Sequence, residues 1–237
     1  MIKQVILTFL SILSTQSYAQ KNNISAYHFF KTNKSNIEYD NFGRVDNSFK
    51  TLAVSPGVGI GYSRVLSEKF LLGGDFNFYQ TITYFKVVGN DPSDVPFIIP
   101  SMNYSVFEMA LKSGVLINIS ENIKSIPKIE VALVYNQHFN SISEIGSEVD
   151  LSNGDIIPYF ATGTYPNKFY FLLGGSIDFE YQFDRYSVGI VINKRVGLKT
   201  IQNIDIDYGI NELKQNQAKI TQKGDFTGIG VKVKYWF

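Results

Sequence analysis

The chain has 237 residues, with 22 Lys and Arg against 21 Asp and Glu and no cysteine. That length fits one domain, and the balanced charge argues against a nucleic-acid partner. The absence of cysteine excludes a disulfide framework, a thiolate metal site, a cysteine nucleophile and lipid anchoring through an N-terminal Cys.

The first element is a leader. Lys3 supplies a short positive region, Val5 to Leu13 an apolar run, and Ser17-Tyr18-Ala19 small residues at the −3 and −1 positions. This order predicts a secretory signal peptide over 1–19, cleaved after Ala19, ahead of a single domain over 20–237. Removing Lys3 with the leader leaves a mature chain of zero net charge. No other stretch approaches the 18 uninterrupted apolar residues of a membrane-spanning helix.

Segments of alternating polarity then recur to the end of the chain. They predict strands over about 24–32, 52–66, 70–85, 104–119, 129–140, 168–183, 186–201 and 226–237. Three connections are short (67–69, 120–128 and 184–185) and four are long (33–51, 86–103, 141–167 and 202–225). Long and short alternate strictly, as the extracellular loops and periplasmic turns of an outer-membrane barrel do.

The last strand is the clearest. Ile229, Val231, Val233, Tyr235 and Phe237 form one apolar face, and Gly228, Gly230, Lys232, Lys234 and Trp236 form the other. An aromatic C-terminus on such a strand is the ending, and the assembly signal, of a bacterial outer-membrane barrel. Strand 168–183 offers Phe169, Phe171, Leu173, Ile177, Phe179, Tyr181 and Phe183 on one face. Lipid accepts such a face and water does not, so the apolar side is read as outward. The predicted fold class is all-β: an eight-stranded antiparallel transmembrane up-and-down β-barrel. The alternative has ten strands, with an extra hairpin in the first or third long connection. Lys194 breaks the apolar face and is placed at the outer interface, where it can snorkel.

An eight-stranded barrel has a bore that side chains fill. By parity the inward charges are Asp75, Glu108, Glu130, Asp178 and Glu180 against Lys112, Arg195, Lys199, Lys232 and Lys234. Buried charges need partners. Asp178 and Glu180 lie low on one strand, and Lys232 and Lys234 lie low on another. Small residues, Ser187 and Gly189, stand between them. These four are expected to form a salt-bridge plug; the alternative is the same residues solvated in a narrow wet lumen. Gly57, Gly59 and Gly61 alternate along a strand, which fits close packing of the wall and not a phosphate loop.

His138, Ser141 and Glu144 near the outer mouth supply imidazole, hydroxyl and carboxylate, with Ser143 beside them, a set that would suit lipid-ester hydrolysis. It faintly resembles the lipid A deacylases, which carry a Ser two residues after the His; here that position is Asn140. The alternative is a rim histidine among hydrated loop residues. His28 has no partner set. Asp91 and Asp94, and Glu144, Glu148, Asp150 and Asp155, make two long connections acidic; they are either hydrated loop charge or a surface cation site. Lys31, Lys34, Arg44 and Lys50 are placed in the first long connection, where they would face lipopolysaccharide phosphates or water.

The signal peptide, the strand Ser55-Pro-Gly-Val-Gly-Ile-Gly-Tyr-Ser63, the strand Phe107-Glu-Met-Ala-Leu-Lys112 and the Tyr235-Trp-Phe237 end resemble the PorT-like outer-membrane β-barrel family of Bacteroidetes-type bacteria. More broadly they resemble small OmpX/OmpA-type barrels. The resemblance implies fold and location and brings no catalytic signature. The expectation is therefore a bacterial outer-membrane protein with a filled lumen and long surface loops, serving as a structural, adhesive or envelope-assembly component. A small passive pore and a lipid-modifying hydrolase using His138 are the alternatives. No cofactor is expected. The expected partners are outer-membrane lipid and lipopolysaccharide, the barrel-assembly machinery, and a surface protein reached through the loops.

Overall fold

The computed structural model describes residues 21–47, 54–67, 69–88 and 101–237. The leader and its cleavage site lie outside them. Among the described residues every regular element is a strand: β1 Lys21–Asp40, β2 Val45–Asp46, β3 Val54–Leu66, β4 Phe70–Tyr84, β5 Lys86–Val87, β6 Ser101–Val115, β7 Ile117–Asn118, β8 Ile123–Asn136, β9 Ile142–Asp150, β10 Ile156–Thr164, β11 Phe169–Phe183, β12 Tyr186–Gly197, β13 Gln202–Tyr208 and β14 Asn216–Trp236.

Eight of these form a closed antiparallel wall in the order β1-β3-β4-β6-β8-β11-β12-β14, with β14 returning to β1. The seam runs from Asn23 opposite Trp236 up to Asp40 opposite Ala218. Closure leaves the wall without an unpaired edge, the condition for strands to cross lipid. The turn between β11 and β12 is two residues long, with Asp184 at φ 50°, a conformation that Asp tolerates.

The structure moves several predicted boundaries. The fifth wall strand, β8, runs over Ile123–Asn136 and not 129–140. Its lower half pairs with β11 from Tyr181 opposite Ile123 to Ser176 opposite Lys128. Pro127 suggests a turn, but it sits inside the ladder opposite Ile177. The segment 137–140 is instead a turn closed by Asn140 at φ 60°.

The long connections differ most from expectation. Residues 141–167 contain the β9–β10 hairpin, and 202–225 contain β13 and the upper half of β14. β1 continues to Asp40 through the segment read as the first long connection. Above Phe226, β13 replaces β12 as the neighbour of β14, and β10 and β9 follow it. The extra hairpin exists, but it extends the sheet above the wall and does not enlarge the barrel to ten strands.

One strand shows why the two storeys differ. On β14 the even residues face inward throughout. Low on the strand they are Gly228, Gly230, Lys232 and Lys234, with exposed Ile229, Val231 and Val233 on the outside. High on the strand they are Ala218 and Ile220, with Gln217, Lys219 and Thr221 outside. The lower wall is charged within and apolar without. The upper sheet has the ordinary polarity of a protein in water, with a core of Phe85, Val87, Val149, Ile157, Ile204 and Ile206 among others. The outer surface changes from polar to apolar between Thr227 and Ile229, and this marks the outer membrane boundary on β14.

Candidate functional site: the charged lumen

Wall strands alternate, so each contributes every second side chain to the bore. Asp178 on β11 sits 1% exposed and gathers three lysines: Lys128 Nζ at 2.6 Å, Lys232 Nζ at 3.2 Å and Lys234 Nζ at 3.3 Å. Lys234 also pairs with Glu180. The Ser187 hydroxyl donates to Glu180 at 3.2 Å, and Trp236 Nε1 donates to Ser187 Oγ at 3.2 Å. The four residues Asp178, Glu180, Lys232 and Lys234 therefore meet across β12, with Ser187 and Gly189 leaving the space between them. A Cβ on Gly189 would fall 2.8 Å from Glu180 Cγ.

A second cluster lies above. Arg195 pairs with both Glu108 and Glu130, with its Nη2 2.6 Å from Glu130 Oε2. Glu108 also accepts from Tyr79 at 2.9 Å and Asn77 at 2.5 Å, and Glu130 accepts from Ser176 at 2.6 Å. Lys112 pairs with Asp75. Lys128 Nζ lies 4.0 Å from Glu130, which links the two clusters into one network. Charged hydrogen bonds of this kind are the strong ones in a low-dielectric interior.

The glycines of β3 make room for this filling. A Cβ on Gly59 would fall 2.2 Å from Asn77 Oδ1, and one on Gly61 2.0 Å from Asp75 Oδ1. Above the charges, Lys31 Nζ stands 3.6 Å over the Tyr79 ring and 4.7 Å from that of Phe226, and it donates to Thr81 at 3.0 Å. Thr83, Tyr104, Gln202 and Gln222 then form a neutral polar layer beneath the apolar upper core.

The sequence missed two of these residues and misplaced others. The expected connection over 120–128 takes in Lys128, whose parity with Glu130 carries it inward. The expected first connection takes in Lys31, which shares the inward parity of Phe29. Lys199 lies exposed beyond the end of β12 and not in the bore. Arg44 is buried, with Nη1 donating to the Val88 carbonyl at 3.2 Å. Lys50, Asp91 and Asp94 lie outside the described residues.

The residues near the mouth are differently arranged from the expected set. Ser141 Oγ donates to the backbone carbonyl of His138 at 2.5 Å, and Ser143 Oγ lies 3.4 Å from Tyr165 Oη. Glu144 is exposed on β9. Among the described residues no hydrogen bond joins the His138 ring to Ser141 or Glu144. His28 points outward, with its ring edge-on to Phe30. The acids Glu144, Glu148 and Asp150 line the outside of β9, Asp155 is held by Asn153 and Asn211, and no metal-binding group of three forms among the described residues. In the upper sheet Tyr208 donates to Asp40; burial, and then that carboxylate, hold its phenol well above the ordinary range. The C-terminal face Ile229, Val231, Val233 and Phe237 is exposed on the outer wall, and Tyr235 is half-buried there beside Tyr186.

No family model and no curated protein sequence matches the chain. Solved structures do. The outer membrane protein OprG from Pseudomonas aeruginosa matches with a TM-score of 0.51 at 9% identity, covering 92% of this chain and 95% of that one. Neisserial surface protein A matches with a TM-score of 0.42 at 10% identity, covering 92% and 99%. Fold and surface together define the class, an integral β-barrel of the outer-membrane type. Within that class this chain is a closed eight-stranded antiparallel barrel.

Proposed function

We propose that this protein is a non-conducting barrel of the bacterial outer membrane, delivered there after cleavage near Ala19, whose folded upper sheet serves a structural, adhesive or envelope-assembly role. One observation carries this reading: the network centred on Asp178 and Arg195 fills the bore with mutually paired side chains. A bore of eight strands holds little beyond its own side chains, and opening it would strand buried charges. The apolar-cored upper sheet supports recognition at the surface, because rigidly mounted segments at a barrel mouth are suited to binding. The residues quoted for the PorT-like resemblance support an envelope role of that kind. The terminal strand ending at Phe237 serves as the signal read by the assembly machinery. The Ser141 hydroxyl, donated to the His138 carbonyl, lends no support to a hydrolase reading.

Proteoliposome swelling tests the reading. Liposomes carrying the folded protein are expected to swell in small sugars and amino acids no faster than empty ones. Swelling at rates graded by solute size would replace this reading with a passive pore.

A further inference from the structure

His28 stands on the outer wall of the barrel. Along the lower part of β1 the even residues face outward, and His28 is exposed between Ala26 and Phe30. Its register partners on the two neighbouring strands are Val231 and Val58. Ala26 is flanked in the same way by Val233 and Ile60, and Phe30 by Ile229 and Pro56. The imidazole is therefore set among apolar side chains on the face that meets lipid. Thr32, four residues further up β1, pairs with Thr227 at the outer membrane boundary. At about 3.3 Å per residue and a strand tilt of about 40°, His28 lies roughly 10 Å below that boundary. At the lower end of β1 the Asn22 amide bonds to the carbonyl of Phe237, the last residue. The ring is thus well inside an apolar band about 25 Å tall.

A polar ring at this depth is costly. A neutral imidazole carries one hydrogen-bond donor and one acceptor, and hydrocarbon satisfies neither. Among the described residues His28 makes no hydrogen bond; its ring packs edge-on against Phe30, with centroids 4.7 Å apart. Anchoring at an interface does not account for it, because amphipathic rings that fix depth sit at the headgroup level. Below it Ala26 leaves a shallow dent, and its neighbour Ile60 is 66% exposed. A polar group beside a small residue is the combination through which membrane-spanning segments associate.

We infer that the outer face of β1 is the contact surface of a homodimer within the membrane, with the His28 imidazole of one copy hydrogen-bonded to that of the other. Symmetry selects a second copy as the occupant. Both copies cross the membrane in the same direction, so the two-fold axis of a closed pair lies along the membrane normal. Such an axis brings together residues of equal depth. Facing strands tilted by about 35–45° then cross at roughly 70–90°, and two convex walls touch around that crossing. At the crossing a residue meets itself. A carboxylate or an ammonium group would repel its own copy. A neutral imidazole is its own complement, one ring donating and the other accepting. Ala26 gives the room for the two walls to close to that distance.

Energy transfer between labelled copies in lipid vesicles tests the assignment. The chain has no cysteine, so Glu121→Cys, in the exposed turn between β7 and β8, supplies a single labelling site. Full-length protein carrying donor or acceptor is mixed and diluted with lipid. Transfer should persist at dilutions where random encounters contribute none. His28→Leu should weaken the association at least about fivefold, and His28→Gln, which keeps a donor and an acceptor, should restore most of it. Ala26→Phe should fill the dent and weaken the association, whereas Val131→Phe, exposed on β8 at the far side of the barrel, should leave it intact. A parent protein that is monomeric at every dilution would overturn the inference, as would transfer unchanged by His28→Leu, or equal losses from Ala26→Phe and Val131→Phe. Leucine suits a lipid-facing site, so His28→Leu should keep its heat-modifiable gel shift; if Ala26→Phe does not fold, the two His28 variants decide.

Discussion

Replacing Asp178 with Asn is the sharpest perturbation of the lumen. The exchange keeps size and one carbonyl acceptor and removes a charge that three ammonium groups share within 2.6–3.3 Å. Lys234 retains Glu180, and Lys128 retains Glu130 at 4.0 Å. Lys232 loses the carboxylate it pairs with among the described residues and is left at 3% side-chain exposure. Removing one member of a buried pair costs about 3–5 kcal/mol, because the other charge stays buried without compensation. The barrel should therefore lose about 3–5 kcal/mol of unfolding free energy, read as a fall in the denaturant midpoint of the purified barrel in lipid vesicles. Adding Lys232→Met removes the stranded charge and should restore at least about half of the loss, since residues of one network couple. A cost for Asp178→Asn below about 1 kcal/mol, or full additivity of the two changes, would refute the view that these residues act as a mutually dependent plug.

Further outcomes follow from the same geometry. Arg195→Met leaves Glu108 and Glu130 without their shared cation and should cost at least as much as Asp178→Asn, about 3–5 kcal/mol in the same titration. Gly59→Val puts a branched Cβ where Asn77 Oδ1 stands 2.2 Å away; overpacking should cost about 1–3 kcal/mol, seen as a lower denaturant midpoint with the fold retained. Ile206→Ala empties part of the upper core and should cost about 2–5 kcal/mol there, making the upper sheet sensitive to added protease while the gel shift of the barrel stays unchanged.

How much of this was legible in the sequence depended on which solvent each face meets. In the wall, lipid demands an unbroken apolar face, so β11 and the lower half of β14 announce themselves through Phe169 to Phe183 and Ile229 to Phe237. Parity along the predicted strands then points Asp178, Glu180, Lys232 and Lys234 inward, although it also points Lys199 inward, which lies exposed beyond β12. The upper sheet is hidden from that criterion because its outer face meets water. β13 alternates plainly, with Ile204, Ile206 and Tyr208 against Asn203, Asp205 and Asp207, but its acidic outer face cannot meet lipid. A strand whose outside meets water has the opposite polarity, and only the join to β14 shows that both kinds belong to one continuous sheet. Lys128 is hidden for a different reason: the neighbouring Pro127 is a turn signal in isolation, yet β8 accommodates it within the ladder opposite Ile177.

Single-channel recording in planar bilayers tests the closed lumen most directly. The folded wild-type protein is predicted to insert without stable conductance steps, since the paired side chains of Asp178, Glu180, Lys232, Lys234, Arg195, Glu108 and Glu130 occupy the bore. Long-lived steps of uniform size from the heat-modifiable protein would contradict the account.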